Sequence, residues 1–289
     1  MSGALLPFVK MQGVGNDFVV VDCLKPGTPS EDALQAASVH LCDRRFGVGS
    51  DGVLLVLPSH AADYKMRMFN PDGSEAEMCG NGIRCFAKYV VDNGYTDAAQ
   101  ITVETLGGVK RLEMTKGADG LVERVKVDMG APGLERASLP MTGTGPAVAV
   151  PVTTTTGETV TLTAVSMGNP HAVFFVDDLS VVDMEKAGPP IETAPEFPRR
   201  TNVHAVQILG RDEIRMATWE RGAGRTLGCG TGACGSVVAA ALNNLTDRRV
   251  LAHLPGGDLL IEWEEGSGGD GHVYMTGPAV TVFDGEIAL

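Results

Sequence analysis

Short runs rich in β-branched and aromatic residues recur along the chain every 8–15 residues, among them DFVVVD, GVLLVLP, YKMRMF, QITVET, VERVKVDM, ETVTLTAV, AVFFVD, HAVQIL, EIRMATW, LLIEW and HVYMT. Runs this short, bounded by Gly, Pro, Asn and Asp, predict strands. Helical patterns are few. One covers 30–42 with acidic residues in its first turn, one covers 82–91 and stops at Asn93 and Gly94, and one covers 232–242 and stops at Asn243 and Asn244.

The pattern repeats. Cys79-Gly80-Asn81-Gly82, followed by IRCFAKYVV, returns 150 positions later as Cys229-Gly230-Thr231-Gly232, followed by ACGSVVAAA. Gly15-Asn16-Asp17-Phe18 leads into VVVD, and Gly168-Asn169-Pro170-His171 leads into AVFFVD, 153 positions on. DYKMRMFN ends nine residues before Cys79, and DEIRMATWE ends nine residues before Cys229. Three blocks in one order predict two similar domains related by a pseudo-twofold, crossing over near 127–133, with the last segment returning to complete the first. The expected boundaries are 1–129 plus 278–289 for the N-terminal domain and 130–277 for the C-terminal one. The fold class is α/β (α+β), each domain a mostly antiparallel, barrel-like sheet around one apolar helix.

Composition narrows the partners. Hydrophobic residues make up 44% of 289 and charged residues 20%, the balance of a globular protein of about two domains. No apolar run approaches the roughly 20 residues a bilayer requires, so no membrane segment is expected. MSGALLPFVK lacks the pattern of a signal peptide, which predicts a cytoplasmic protein whose six cysteines are reduced thiols. A formal charge of −13 repels nucleic acid.

Each Cys-Gly-X-Gly block places a thiol at a helix start, where unpaired N–H groups and the positive end of the helix dipole favour carboxylates and thiolates. The glycines let a ligand approach the backbone. Two such starts face to face would put Cys79 and Cys229 on opposite sides of an α-carbon. One would act as thiolate base and the other as thiol acid, while fixed N–H donors stabilise the charge that spreads onto the carboxylate. Cys23, Cys42, Cys85 and Cys234 read as core thiols. The spacings Cys79-x5-Cys85 and Cys229-x4-Cys234 are too wide for the usual zinc pairs. A disulfide between Cys79 and Cys229 would be an inactive state.

Ahead of the second motif stand Glu220, suited to an ammonium, and Arg221, suited to a carboxylate; an exposed ion pair is the other reading. His171 is either a structural histidine or a group that helps move a thiol proton. The G-x-G-x-x-G match at 47–52 follows a helix and precedes a strand, the reverse of a dinucleotide fold, and reads as a loop.

GVGNDF (13–18), RRFGVGSDG (44–52), FNPDGSEAEMCGNGIRC (69–85), MGNPH (167–171), TN (201–202) and ERGAGRTLGCGTGAC (220–234) together resemble the diaminopimelate epimerases, cofactor-independent isomerases. The resemblance implies a homodimer that needs no cofactor or metal and interconverts LL- and meso-diaminopimelate on the route to lysine and peptidoglycan. It implies Cys79 and Cys229 as acid–base catalysts assisted by His171 and Glu220. Asn16, Asn70, Asn169, Asn202, Glu220 and Arg221 would hold the substrate's polar ends, and Gly80, Asn81, Gly230 and Thr231 its reacting carboxylate. Gly52 departs from relatives that carry a substrate-contacting Gln there. A proline racemase or hydroxyproline epimerase is the alternative, although those enzymes usually carry His where Asn81 stands and need no Arg for a second carboxylate. A ligand-binding or redox-sensing domain would need neither thiol.

Overall fold

The structure is a computed structural model that describes residues 5–265 and 271–289. In chain order its elements are β1 (Leu5–Gly13), β2 (Asn16–Asp22), α1 (Glu31–Cys42), β3 (Gly52–Leu57), β4 (Tyr64–Phe69), α2 (Gly80–Asp92), β5 (Gln100–Thr105), β6 (Gly108–Lys116) and β7 (Val122–Asp128). They continue with β8 (Val150–Thr153), β9 (Thr159–Ser166), β10 (Pro170–Val176), α3 (Met184–Glu192), β11 (Asn202–Gly210), β12 (Glu213–Glu220), β13 (Gly224–Thr226), α4 (Gly230–Leu242), β14 (Arg249–Leu254), β15 (Gly257–Trp263), β16 (Val273–Pro278) and β17 (Val280–Ala288). The chain divides into two compact units, one running to Val127 and including Gly277–Leu289, the other Asp128–Thr276.

Within the first unit β17 pairs antiparallel with β1, β1 with β2, β3 with β4, and β5 with β6. The pairs β2–β3 and β4–β5 are parallel, with α1 and α2 as their crossovers. The second unit repeats the scheme. β8 pairs antiparallel with β9, β9 with β10, β11 with β12, and β14 with β15, while β10–β11 and β12–β14 are parallel and enclose α3 and α4. Antiparallel hairpins thus alternate with parallel crossovers, as a mixed α+β fold requires. The sequence repeat is a repeat of topology.

α2 is buried from Gly80 to Val91, and its two cations bond to backbone carbonyls: Arg84 donates to the Gly80 and Pro278 carbonyls at 3.0 and 3.1 Å, and Lys88 to the Val122 carbonyl at 2.7 Å. Asn93 caps its C-terminus and Gly94, at φ 74°, turns the chain away. α4 is the corresponding Ala- and Val-rich helix, ended by Asn243 with Asn244 in the left-handed region.

One helix escapes sequence reading. α3 has Pro189 and Pro190 inside it, residues that remove backbone donors and normally count against a helix. It forms because Asp183 caps it and because Met184 and Ile191 enter the apolar cluster of Leu162, Ala172, Phe197 and Val203. A Cβ on Gly188 would come within 2.4 Å of the Trp219 ring, so the glycine lets the helix lie against β12. Among the described residues no helix is long and apolar enough to cross a membrane.

Candidate active site

Each Cys-Gly-X-Gly block does begin a helix, with its cysteine as the N-cap: Cys79 for α2 and Cys229 for α4. Both cysteines have extended backbones, φ −136° and −111°, so the first turn starts at the following glycine. The Gly82 N–H donates to Cys79 Sγ at 3.4 Å, closing the cap.

In the first unit Asn16, Cys79 and Asn81 come together. Asn16 Oδ1 accepts from Asn81 Nδ2 at 3.3 Å and from the Cys79 thiol at 3.6 Å. The Asn16 amide is itself fixed, donating to Asp51 Oδ2 at 2.6 Å. Asp51 and Asp17 share Arg44, with contacts of 2.7 and 2.6 Å, and Lys10 adds a 2.6 Å ion pair to Asp17. Burial alone would raise the Asp17 carboxyl, but the Arg44 and Lys10 contacts outweigh it and hold the carboxyl at about 2. Asn70 closes a turn instead, its side chain donating to Ser74 Oγ at 3.0 Å. At Gly52 a Cβ would meet the Met68 methyl at 2.9 Å and the Phe69 carbonyl at 3.0 Å, so a longer side chain there has no room without local movement.

The second unit builds the corresponding cluster from Cys229, Asn169 and Thr231, the repeat partners of Cys79, Asn16 and Asn81. Thr231 Oγ1 lies 3.6 Å from Cys229 Sγ and accepts from Asn169 Nδ2 at 3.4 Å. Glu220, at the end of β12, places its carboxylate charge near the Cys229 thiol. Burial, followed by the Glu220 charge, pushes that thiol well above its ordinary range. The helix-start donors that favour a thiolate are therefore outweighed at Cys229, contrary to the expectation of a lowered thiol.

His171 is fully buried. Its Nε2 lies 2.9 Å from Asn169 Oδ1 and its Nδ1 2.9 Å from His204 Nε2. His204, also fully buried, has its Nδ1 3.0 Å from Thr218 Oγ1. Desolvation lowers His171 well below its ordinary value and takes His204 down to about 3, so both imidazoles are neutral. Asn202 brackets the site, donating to the Pro170 carbonyl and accepting from the Arg221 N–H, both at 2.9 Å. The exposed Arg221 guanidinium reaches the Arg199 carbonyl at 3.2 Å. Sequence reasoning missed His204 and Thr218; the one available signal was a polar residue inside the apolar run NVHAVQIL. Among the described residues no cluster of three or more His, Cys, Asp or Glu has the arrangement of a metal site.

Solved structures share this fold. The chain aligns over 99% of its length with all of a phenazine biosynthesis protein of the PhzF family from Bacillus anthracis, at TM-score 0.72. It aligns over its full length with 93% of a hydroxyproline epimerase from Agrobacterium vitis, at 0.71. Identity is 16% in both cases, which speaks for fold alone. The sequence relatives are more specific. Residues 8–135 and 163–282 match the family model described as diaminopimelate epimerase. The diaminopimelate epimerases of Pelotomaculum thermopropionicum and Moorella thermoacetica are 55% and 52% identical, the alignments covering 96% and 98% of this chain and 98% and 99% of theirs. The chain belongs to the diaminopimelate epimerase family, a family of isomerases acting on a small molecule.

Proposed function

We propose that the protein interconverts LL-2,6-diaminopimelate and meso-diaminopimelate without pyridoxal phosphate, using Cys79 and Cys229 as its two acid–base groups. The observation that carries this is the cysteine N-cap at the start of a buried helix in each unit. Inversion takes a proton from one face of the α-carbon and returns one to the other, so it needs two groups of one chemistry that differ in protonation. One thiolate removes the α-proton; the other thiol supplies its own. The backbone donors of Gly80, Asn81, Gly230 and Thr231 stabilise the carboxylate as it takes up carbanion charge. Each such donor is worth about 3–4 kcal/mol in comparable sites.

Glu220 acts on the Cys229 thiol through its charge, and His171 reaches it through Asn169 and Thr231. Asn16, Asn70, Asn169, Asn202 and Arg221 hold the ammonium and carboxylate groups of the substrate, with Arg221 as partner of the distal carboxylate. Asn81 and this Arg favour a ligand charged at both ends over proline. Incubated with LL-diaminopimelate in D2O under reducing conditions, the protein is expected to erase the α-proton NMR signal as the meso isomer forms. Lack of exchange sinks the proposal, and exchange with proline in its place selects the proline racemase reading.

The protein acts in the cytoplasm as a homodimer in this proposal. β17 leaves Val280, Val282 and Phe283 about half exposed, an apolar surface suited to a second copy. Sedimentation should give twice the chain mass, with Phe283→Glu shifting the equilibrium towards monomer; a monomeric wild type would overturn it.

A further inference from the structure

The two units bury different side chains beneath equivalent helix starts. In the first, Phe18 and Leu54 lie against Gly82, within 3.5 and 3.2 Å of where its Cβ would be. Phe18 is paired with Gly52, two residues before Leu54 on β3. In the second, His171 is paired with Asn202, two residues before His204 on β11, and the His204 ring lies against Gly232. Where one unit fills the space with a phenyl ring and an isobutyl group, the other buries two imidazoles. An apolar pair therefore suffices for packing, and burying polar rings costs stability unless their bonds are used.

Those bonds run in one direction. Asn169 Nδ2 donates to Thr231, so its Oδ1 accepts from His171 Nε2–H. A neutral His171 protonated on Nε2 has Nδ1 free to accept, so His204 donates from Nε2–H. His204 Nδ1 then accepts from the Thr218 hydroxyl. Thr231, its oxygen occupied by Asn169, has its own hydrogen to give to Cys229 Sγ. Every donor from Thr218 onward points towards the sulfur.

We propose that His204 is a positioning residue: it fixes the tautomer of His171 and thereby orients the hydrogen-bond chain Thr218, His204, His171, Asn169, Thr231 that supports the Cys229 thiolate. The inference rests on the acid–base reading of Cys229. A thiol held high by burial and by Glu220 needs donors at the moment it gives up its proton, and an imidazole chain that is itself uncharged supplies them without adding a charge to the core. With His204 gone, His171 is free to place its proton on Nδ1. Its Nε2 then becomes an acceptor, Asn169 turns over, and Thr231 loses the bond that aims its hydroxyl.

Nitrogen-15 spectra of the histidine-labelled wild type should show both His171 and His204 protonated on Nε2; either ring protonated on Nδ1 overturns the proposal. His204→Leu, the residue the first unit uses, should fold, lower kcat about 10- to 100-fold with KM within about threefold, and leave His171 in mixed tautomers. His204→Gln, whose side-chain amide donates from the place of Nε2, should restore kcat to within about threefold of wild type and return the His171 proton to Nε2. A Gln variant as slow as the Leu variant would make the role one of packing and defeat the claim, as would a Leu variant of unchanged kcat. Alkylation of Cys229 by iodoacetamide, followed by peptide mass, should be slower in His204→Leu. The spectra and the alkylation need no turnover, so they test this inference even if the wild type fails to exchange the diaminopimelate α-proton, a result that would sink the epimerase reading instead.

Discussion

Replacing either Cys79 or Cys229 by alanine is expected to lower kcat for epimerisation by about 10³-fold or more, the scale on which general acid–base groups contribute. The two losses should not add. Inversion needs both groups in one turnover, so the double variant falls to the level of the singles, the behaviour of residues that act as a unit. Fold is not at risk at Cys79, which is half-buried, and at Cys229 the side chain lost is small. Cys85 and Cys234 provide the contrast, since both are fully buried and lie a turn further along the same helices. Burial lifts Cys85 to about 12, a thiol that does not ionise near neutrality. Alanine at 85 or 234 should cost stability and leave kcat within a fewfold. A single variant that keeps one thiol can still remove and return a proton on one face. Cys79→Ala and Cys229→Ala should therefore each retain deuterium incorporation, without inversion, for opposite stereoisomers. Epimerisation at wild-type rate in either variant refutes the two-thiol mechanism.

The reason these two cysteines stand out from the other four lies in the repeat. A helix that starts on Cys-Gly-X-Gly needs a cap and glycines in the first turn, so its signature is local and survives in the sequence even where the surrounding strands have diverged. The two core helices and the acidic start of α1 were legible for the same reason. α3 was not, because its prolines argue against a helix and only its packing against Trp219 and the apolar cluster of the second unit decides for one. His204 was hidden by a different cause. It lies in a strand buried from Asn202 to Val206, where alternation carries no information about which face a polar residue serves. Its meaning depends on β10 lying parallel beside it, a long-range pairing. The Asp17, Asp51, Arg44 and Lys10 network behind Asn16 is likewise assembled from β1, β2 and the loop before β3. The lowered thiol expected at a helix start was overruled at Cys229 by burial and Glu220.

The contact of the His204 ring with Gly232 gives Gly232→Ala an effect opposite to the one helix propensity assigns. Inside α4 an alanine is worth about 1 kcal/mol more than glycine. The added methyl, however, would stand 2.3 Å from His204 Cε1 and 2.8 Å from Nε2. That ring has no exposed surface and is held at both nitrogens, so it cannot swing aside as a flexible chain end would. Overpacking costs about 1–3 kcal/mol, and a buried nitrogen stripped of its partner about as much again. The net expectation is a loss of roughly 2–4 kcal/mol, a Tm lower by about 5–10 °C, and a fall in kcat like that of His204→Leu. Gly82→Ala is the matched control, because the atoms nearest its methyl, on Leu54, Cys79 and Phe18, stand at 3.2–3.5 Å, and it should be nearly neutral in stability. A double-mutant cycle isolates the cause: in a His204→Ala background the clash has no partner, so adding Gly232→Ala should cost little or even stabilise. Equal losses with and without the histidine would mean that the glycine serves some need other than room for His204.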